Sequence, residues 1–309
     1  NDGLFLDELH RAGVDRVMGL EPNPYAAEET KKKEMTVHTE MINQALCHRI
    51  VTEAGPFDTV VSRQVIEHLT DIEEYFTCVD ILLAEGGHLF VDFPDFEPAL
   101  IMGDCSMIWE EHVNYFTEMV ARNMLGRFGY RILACRHYNF SGGTIALLAQ
   151  RGEPVRDETG LGNQEKAVRR FNEVVTSYRH RLSGALASCR NKGVTVVLYG
   201  VGCRACTVVN GLQLGSLIDL AVDDQVERQG KYMPGSRIPI HPSETLRDHL
   251  NRGVCLLAVN QENEAKVRNR LTSLSKDALT CVSLFSPNDI HHELTILEQL
   301  AEMLDDPQG

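Results

Sequence analysis

A glycine and an acidic residue near the start of the chain have the types and spacing of a nucleoside site. Gly3 precedes a short amphipathic segment at residues 4–12, and Glu21 follows a strand-like segment at residues 16–20. A glycine turn that opens a helix, followed roughly twenty residues later by a carboxylate at a strand end, is suited to hydrogen-bond ribose hydroxyls. The pattern predicts the second half of a nucleotide-binding βαβ unit. The strand and glycines that would come first are not in the chain, so we expect an N-terminally truncated domain that can be inactive.

A second segment whose side chains could take part in catalysis is WEEHVNYFT at residues 109–117. It follows the strand-like residues 88–94, and doubly wound sheets place their active sites beyond the carboxyl ends of their strands. The imidazole of His112 titrates near neutral pH, which suits a base or a proton shuttle. A histidine considered alone is more often a helix-terminal residue making one hydrogen bond, and that alternative stays open.

The elements that must position these residues alternate between strand and helix over residues 1–150. Apolar, β-branched runs predict strands at 57–62, 88–94, 130–135 and 143–149. Helical spacing predicts helices over 72–83, with a C-cap at Gly86 and Gly87, and over 116–128. The fold class predicted is therefore α/β, a Rossmann-like doubly wound sheet.

The second half of the chain repeats this kind of pattern after a polar linker at 151–163. A charge-rich helix is predicted over 164–192, with one buried stripe of Val168, Phe171, Val175, Tyr178 and Leu182. A strand that begins at 194 then enters a glycine turn at 200–202 and a helix, and further strands are predicted at 217–223 and 254–259. The predicted domains are 1–150 for cofactor binding, 151–192 as linker and long helix, and 193–309 as a smaller Rossmann-like domain that binds substrate or nucleotide.

Composition narrows the classes of partner. The 309 residues are 43% hydrophobic with no apolar run of eighteen residues, so no membrane span is expected. A formal charge of −14 argues against nucleic acid and anionic membranes as main partners. Nine scattered cysteines favour reduced thiols and a cytoplasmic protein. The pair Cys203 and Cys206 lacks the two further ligands of a zinc site, so no metal is expected.

Several motifs together resemble known methyltransferases. The strand at 57–60, the residues EHL at 67–69 and the segment GGHL at 86–89 resemble the class I S-adenosylmethionine-dependent methyltransferases. The segment at 109–117 resembles the YHEHxxYF motif of the bacterial C-methyltransferases that act on nucleotide-linked deoxy-ketosugars. Further matches to that family are SGGT at 141–144, YGVGCR at 199–204 and RQGKYMPGSRIPI at 228–240. The resemblance covers nearly the whole chain.

The resemblance implies a mechanism and a set of site residues. His112 would be the base that generates an enolate, Glu111 would orient His112 or hold a sugar hydroxyl, and Tyr115 would donate to the enolate oxygen. The implied contacts of S-adenosylmethionine are Asn1, Asp2, Gly3, Glu21, Pro22, Asn23, Ser62 and Gln64. The implied contacts of the nucleotide-linked sugar are Trp109, Gly142, Gly143, Tyr199, Arg204, Arg228 and Lys231. The cations in this set would pair with diphosphate oxygens.

Departures from the family pattern concern the substrate. Trp109 stands where the family has Tyr, Glu110 and Ser141 stand where it has His, and Arg204 replaces Lys. Zinc belongs only to an N-terminal lobe that this chain lacks. Other functions stay open: a dehydrogenase, an O-methyltransferase or an N-methyltransferase acting on another small molecule, and a non-catalytic binding module. The oligomeric state is expected to be a monomer or a homodimer.

Overall fold

The computed structural model describes residues 2–109, 111–140, 143–153, 161–249, 252–275, 278–285 and 292–305. The chain packs as two compact units. The first consists of Asn1–Val91, Leu125–Cys135 and Leu147–Pro154, and the second of Asp92–Met124, Arg136–Ala146 and Val155–Gly309. The segment that contains His112 therefore packs in the same unit as the C-terminal strands. The domain limits at 150 and 193 stay a prediction.

The first half of the chain alternates helices and strands as the sequence predicted. Its elements are α1 (Leu4–Arg11), β1 (Met18–Leu20), α2 (Pro24–Lys32), β2 (Thr36–His38), α3 (Gln44–Ala54), β3 (Phe57–Arg63), α4 (Ile72–Leu82), β4 (Leu83–Pro94), α5 (Glu97–Met102), α6 (Glu118–Arg127), β5 (Tyr130–Tyr138) and β6 (Thr144–Arg151). Strands β1 and β2 pair in parallel, and a four-stranded sheet has the order β3-β4-β6-β5. The fold class predicted for this half is confirmed.

The predicted helix cap at Gly86 and Gly87 is wrong. Helix α4 ends at Leu82, and β4 begins directly at Leu83, so both glycines lie inside the strand. A Cβ atom added to Gly87 would lie 3.1 Å from the carbonyl oxygen of Asp58 and 2.9 Å from that of Ala84. Glycine is present because the backbone approaches too closely for a side chain there.

The second half begins with the long helix α7 (Leu161–Asn191). Its elements continue as β7 (Thr195–Tyr199), α8 (Cys203–Gly211), β8 (Leu220–Val222), β9 (Ile240–His241), α9 (Leu246–His249), β10 (Gly253–Leu257), α10 (Gln261–Ser275), β11 (Leu279–Ser283) and α11 (His292–Asp305). Five parallel strands form a sheet in the order β11-β10-β7-β8-β9. The order reverses at β7, the kind of switch point where doubly wound sheets open a crevice.

Helix α7 supplies one face of the core in the second unit. Phe171, Tyr178 and Leu182 of its predicted stripe are buried, but Val168 is 48% exposed, so its predicted burial is wrong. The buried stripe begins at Phe171, whose ring lies 6.0 Å from that of Phe96, and Val168 precedes this covered part of the helix.

Two further predictions concern cysteines and membranes. All nine cysteines are free thiols, as expected. Within the described ranges, no helix is both long enough and apolar enough to cross a bilayer.

We predict that Leu182→Ala lowers the free energy of unfolding by about 2–5 kcal/mol, because the side chain is completely buried and its removal leaves a cavity. Val168→Ala, on the same helix, is expected to change it by less than about 0.5 kcal/mol because Val168 faces solvent. Denaturant titrations followed by circular dichroism give both values. Equal losses for the two variants would contradict this placement of α7.

Candidate functional site

The carboxylate of Glu21 lies at the carboxyl end of β1, as the sequence predicted. The Glu21 backbone N–H donates to His38 O at 3.0 Å, which continues the pairing of β1 with β2. Its Oε1 accepts from the backbone N–H of Asn23 at 2.8 Å. The Asn23 side chain in turn caps α2 by accepting from Tyr25 N. The exposed Pro22 lies between them, so these three residues form one fixed turn at the strand end.

Gly3 forms the turn that opens α1. Its φ is +78°, in the left-handed region that favours glycine, and an added Cβ would lie 2.9 Å from Thr30 Cγ2. Asp2 Oδ1 accepts from Leu4 N at 3.2 Å and so covers one backbone donor of the first turn. Asn1, another predicted contact, lies outside the described residues.

The two predicted contacts at the end of β3 differ in character. Ser62 is buried, and its Oγ accepts from Tyr75 Oη at 2.8 Å. Burial, opposed by this hydrogen bond, raises the pKa of Tyr75 to about 12. Gln64 has a φ of +51°, a strained conformation for a residue other than glycine that is found disproportionately at ligand sites. The backbone therefore supports Gln64 as a contact, whereas the hydroxyl of Ser62 is already used inside the protein.

Three residues of the 109–117 segment meet in the second unit. The imidazole of His112 stacks on the indole of Trp109, with ring centres 4.7 Å apart and planes 12° from parallel. The ring of Tyr115 lies 6.3 Å from that of His112. His112 and Trp109 are half-buried and Glu111 is exposed. The structure thus brings together Trp109, His112 and Tyr115 from this segment; Glu110 is outside the described residues.

The hydroxyl of Tyr115 has a structural task in this loop. It accepts from Trp109 N at 3.0 Å and donates to Trp109 O at 3.1 Å. The backbone of Trp109 is in neither a helix nor a strand; its carbonyl also accepts from His112 N at 3.3 Å, and the Tyr115 hydroxyl supplies the further partners of its polar groups. By contrast, the indole Nε1 of Trp109 is buried, and no acceptor for it occurs among the residues that the structure describes.

Arg204 holds the chain just before this loop. Its guanidinium donates to Ser106 Oγ at 2.7 Å, to Ser106 O at 3.1 Å and to Asn260 Oδ1 at 3.3 Å. Ser106 belongs to the short 3-10 helix Cys105–Met107, so Arg204 connects α8 with the segment leading to Trp109. This predicted substrate cation is therefore already engaged within the protein.

The glycine turn after β7 is braced by Asp223, which the sequence analysis did not assign to a site. Asp223 Oδ2 accepts from Val201 N at 2.7 Å and from Arg228 Nη1 at 2.9 Å, and its Oδ1 accepts from Gln225 N at 2.8 Å. Three protein donors therefore already engage this carboxylate. Its place after a parallel strand was a signal that the sequence offered.

The remaining predicted substrate contacts lie near this turn or outside the described residues. Tyr199 donates to Asp224 Oδ2 at 2.6 Å, and burial together with that carboxylate raises the pKa of Tyr199. Lys231 is exposed. Gly143 has a φ of +121° and its carbonyl accepts from Asp95 N at 3.0 Å, whereas Gly142 is not among the described residues.

Alternating strands and helices, a glycine turn that opens α1 and a carboxylate at the end of β1 are features of nucleotide-binding α/β folds. A family model described as a methyltransferase domain matches residues 1–134, and one described as a C-methyltransferase C-terminal domain matches residues 140–278. The chain belongs to the class I S-adenosylmethionine-dependent methyltransferases and is an enzyme of that class.

Two curated relatives and one solved structure illustrate the similarity. The C-methyltransferase NovU of Streptomyces niveus is 26% identical over 309 residues, covering 96% of this chain and 73% of the relative. A ubiquinone biosynthesis O-methyltransferase of Methylocella silvestris is 30% identical over 94 residues, covering 28% of this chain and 34% of the relative. An S-adenosylmethionine-dependent methyltransferase from Mesorhizobium loti aligns at 15% identity and a TM-score of 0.38, covering 48% of this chain and 87% of that one. The last likeness is too distant to inform the site.

We predict that Tyr115→Phe loosens the 109–117 loop at a cost of about 1–3 kcal/mol, because Trp109 N loses its hydroxyl acceptor and Trp109 O keeps only the bond from His112 N. Trp109 is the single tryptophan of the chain, so its emission should shift to longer wavelength and acrylamide should quench it more strongly. Tyr25→Phe, at a site where the side chain is 85% exposed, serves as the control. Unchanged emission and quenching in Tyr115→Phe would contradict the role assigned to this hydroxyl.

Proposed function

We propose that this enzyme transfers a methyl group from S-adenosylmethionine to a carbon atom beside a ketone of a nucleotide-linked sugar or a related small molecule. The observation that carries the proposal is the half-buried imidazole of His112, stacked on Trp109 in a loop braced by Tyr115. The match to a C-methyltransferase C-terminal domain and the similarity to a C-methyltransferase support carbon as the methylated atom.

His112 is the base in this proposal. A carbon beside a ketone becomes nucleophilic when a base takes its proton and the electron pair moves into an enolate. The stack on Trp109 restricts the orientation of the imidazole, so that it can meet a C–H bond in a fixed geometry. The proton moves to a ring nitrogen of His112. The enolate carbon would then take the methyl group as the bond between that group and the cofactor sulfur breaks, which would leave S-adenosylhomocysteine.

Trp109 is the better donor to the enolate oxygen. The sequence motif assigned that role to Tyr115, but the hydroxyl of Tyr115 already donates to Trp109 O. The buried Nε1–H of Trp109 finds no acceptor among the described residues, and a buried donor without a partner is costly unless a ligand satisfies it. A substrate oxygen placed against this N–H would gain a hydrogen bond that strengthens as negative charge develops.

The residues present in the first unit fit the cofactor. Glu21 offers carboxylate oxygens to the ribose hydroxyls, and a side chain at Gly3 would clash with Thr30 in the turn that opens α1. Asp2, Asn23 and Gln64 are the further contacts that we assign to the cofactor. When bound, S-adenosylmethionine supplies an electrophilic methyl group on a sulfonium.

The nucleotide part of the substrate would need positive charge. Lys231 is exposed, and the Arg228 side chain remains 38% exposed although it pairs with Asp223 at 2.9 Å, so both present positive charge on the loop between β8 and β9. We assign the diphosphate to these two cations. Arg204 is assigned instead to holding Ser106.

The identity of the methylated atom tests the proposal directly. The enzyme is incubated with S-adenosylmethionine labelled with ¹³C in its methyl group and with nucleotide-linked keto-deoxysugars, and the product is examined by NMR. We expect an upfield methyl signal coupled to carbon. A downfield methoxy signal would instead establish O-methylation, which the similarity to an O-methyltransferase makes the second candidate.

We predict that His112→Gln lowers turnover on the order of 10²–10⁴-fold, because the general base is lost, while the affinity for S-adenosylmethionine measured by calorimetry stays the same. The variant should also slow the exchange of the substrate C–H for deuterium in D₂O, a readout that needs no methyl transfer. His48→Gln, at an exposed position on α3, is the matched control. Unimpaired deuterium exchange in His112→Gln would refute the base assignment.

We predict that Glu21→Gln weakens S-adenosylmethionine binding by about 10- to 100-fold, because hydrogen bonds from the ribose to a charged acceptor become bonds to a neutral one. The exposed Glu53→Gln on α3 removes the same charge elsewhere and should leave the affinity unchanged. Calorimetry measures both. Equal affinities for the two variants would show that Glu21 does not bind the ribose.

A further inference from the structure

His137, near the end of β5, lies between two carboxylates in the second unit. Its Nδ1 is 3.0 Å from Asp95 Oδ2, and its Nε2 is 2.8 Å from Glu118 Oε2. Asp95 is the residue that follows β4, and its side chain is only 9% exposed. Glu118 is the first residue of α6. One imidazole thus joins a strand end to a helix start.

Only the imidazolium form satisfies both contacts. An ionised carboxylate only accepts hydrogen bonds, and a neutral imidazole has one N–H, whereas the charged ring has two. The hydrogen bond to Glu118, with a further contribution from Asp95, raises the pKa of His137 against the lowering effect of burial. The geometry and the charges therefore agree that His137 is held in its protonated form.

Further polar groups lie close to His137 and its two carboxylates. Arg122 donates to Glu118 Oε1 at 2.7 Å, so Glu118 is shared between a guanidinium and the imidazole. Asp95 Oδ1 accepts from the backbone N–H of Glu97 at 3.0 Å. On the strand of His137 itself, Cys135 lies two positions earlier on the same face.

The two carboxylates flank the segment that carries the proposed base. Residues 96–117 form a longer connection, called the 96–117 loop, which includes α5 and the 109–117 segment. Its ends are joined by the hydrogen bond from Phe96 N to Phe116 O at 2.9 Å. The ring of Phe96 also lies 4.7 Å from that of Tyr115, inside the loop. The contact of His137 with Asp95 and Glu118 therefore closes the neck of this loop just outside that backbone bond, one residue before Phe96 and two residues after Phe116.

We propose that His137 is a positioning residue that bridges Asp95 and Glu118, closes the neck of the 96–117 loop and so fixes Trp109 and His112 for methyl transfer. The catalytic consequence rests on the proposed function, which makes His112 the base. The closure itself does not depend on that function.

The closure depends on pH in a defined direction. Because the pKa of His137 is raised in the folded protein, its contribution is complete below the ordinary histidine value of about 6.5. The contribution is lost as the pH rises through the raised value. Above it the ring has one N–H, so either Asp95 or Glu118 loses its hydrogen bond from the ring and the neck loosens.

The single tryptophan permits a test that needs no substrate. Trp109 emission and acrylamide quenching are followed from acid to alkaline pH in the wild type, His137→Gln, Glu118→Gln and the control His48→Gln. We expect stronger quenching above the raised pKa in the wild type and the control. His137→Gln should be quenched strongly at every pH, and in Glu118→Gln the transition should move to lower pH because one carboxylate is gone.

The same experiment separates His137 from His112, which stacks on Trp109 and also titrates. A transition that persists unchanged in His137→Gln and disappears in His112→Gln would belong to His112 and would overturn the proposal. An NMR titration of the His137 ring gives its pKa independently, and a value at or below that of an ordinary histidine would also overturn it. Circular dichroism and thermal unfolding establish whether each variant is folded. If His137→Gln does not fold, Glu118→Gln tests the same contact.

Turnover connects the closure with catalysis. With a nucleotide-linked keto-sugar that the wild type methylates, His137→Gln is expected to lower kcat by roughly ten- to a hundredfold, because the base is misplaced, with the KM for S-adenosylmethionine unchanged. The loss of kcat at alkaline pH should follow the fluorescence transition. Unchanged kcat in a variant whose loop is loosened would refute the positioning role. If the wild type shows the pH-dependent fluorescence transition but no turnover, only the proposed function would be refuted.

Discussion

The site formed by Trp109 and His112 depends on how the chain closes the 96–117 loop, which follows β4. Ordering a long loop costs conformational entropy, and irregular backbone needs partners for its polar groups. The Phe96–Phe116 backbone hydrogen bond joins the two ends, and the ring of Phe93 packs 4.8 Å from that of Phe116 beneath it. Without this closure, the stacking of His112 on Trp109 would have no fixed frame.

Interactions from several distant parts of the sequence then hold the loop. Arg204 on α8 donates to Ser106 within the loop, and the aromatic ring of Phe171 on α7 contacts that of Phe96. This explains why residues 92–124 pack in the same compact unit as the C-terminal strands. The C-terminal half therefore has a structural part in shaping the segment that carries His112, beside any contact that it makes with a substrate.

The carboxylates of this protein show how similar positions in a fold acquire different tasks. Glu21 and Asp223 each follow a parallel strand beside a glycine-opened helix. Asp223 is buried, and the Val201 and Gln225 backbones and Arg228 donate to it, so it braces its own turn. Glu21 is only half-buried, and its Oε1 accepts from the backbone N–H of Asn23. The degree of burial, and not the position in the fold, distinguishes the two carboxylates.

The sequence by itself determined the alternation of strands and helices, because apolar periodicity and glycine turns act over a few residues. It placed Glu21 at a strand end and singled out the segment with His112 through a motif. It did not reveal that Tyr115 serves the Trp109 backbone or that Arg204 serves Ser106, because those bonds depend on loop conformation and on residues almost a hundred positions apart. Likewise, only the tertiary structure placed His137 between Asp95 and Glu118. Hydrogen-bond partners are decided by distances between side chains from separate elements, and local sequence patterns carry no information about those distances.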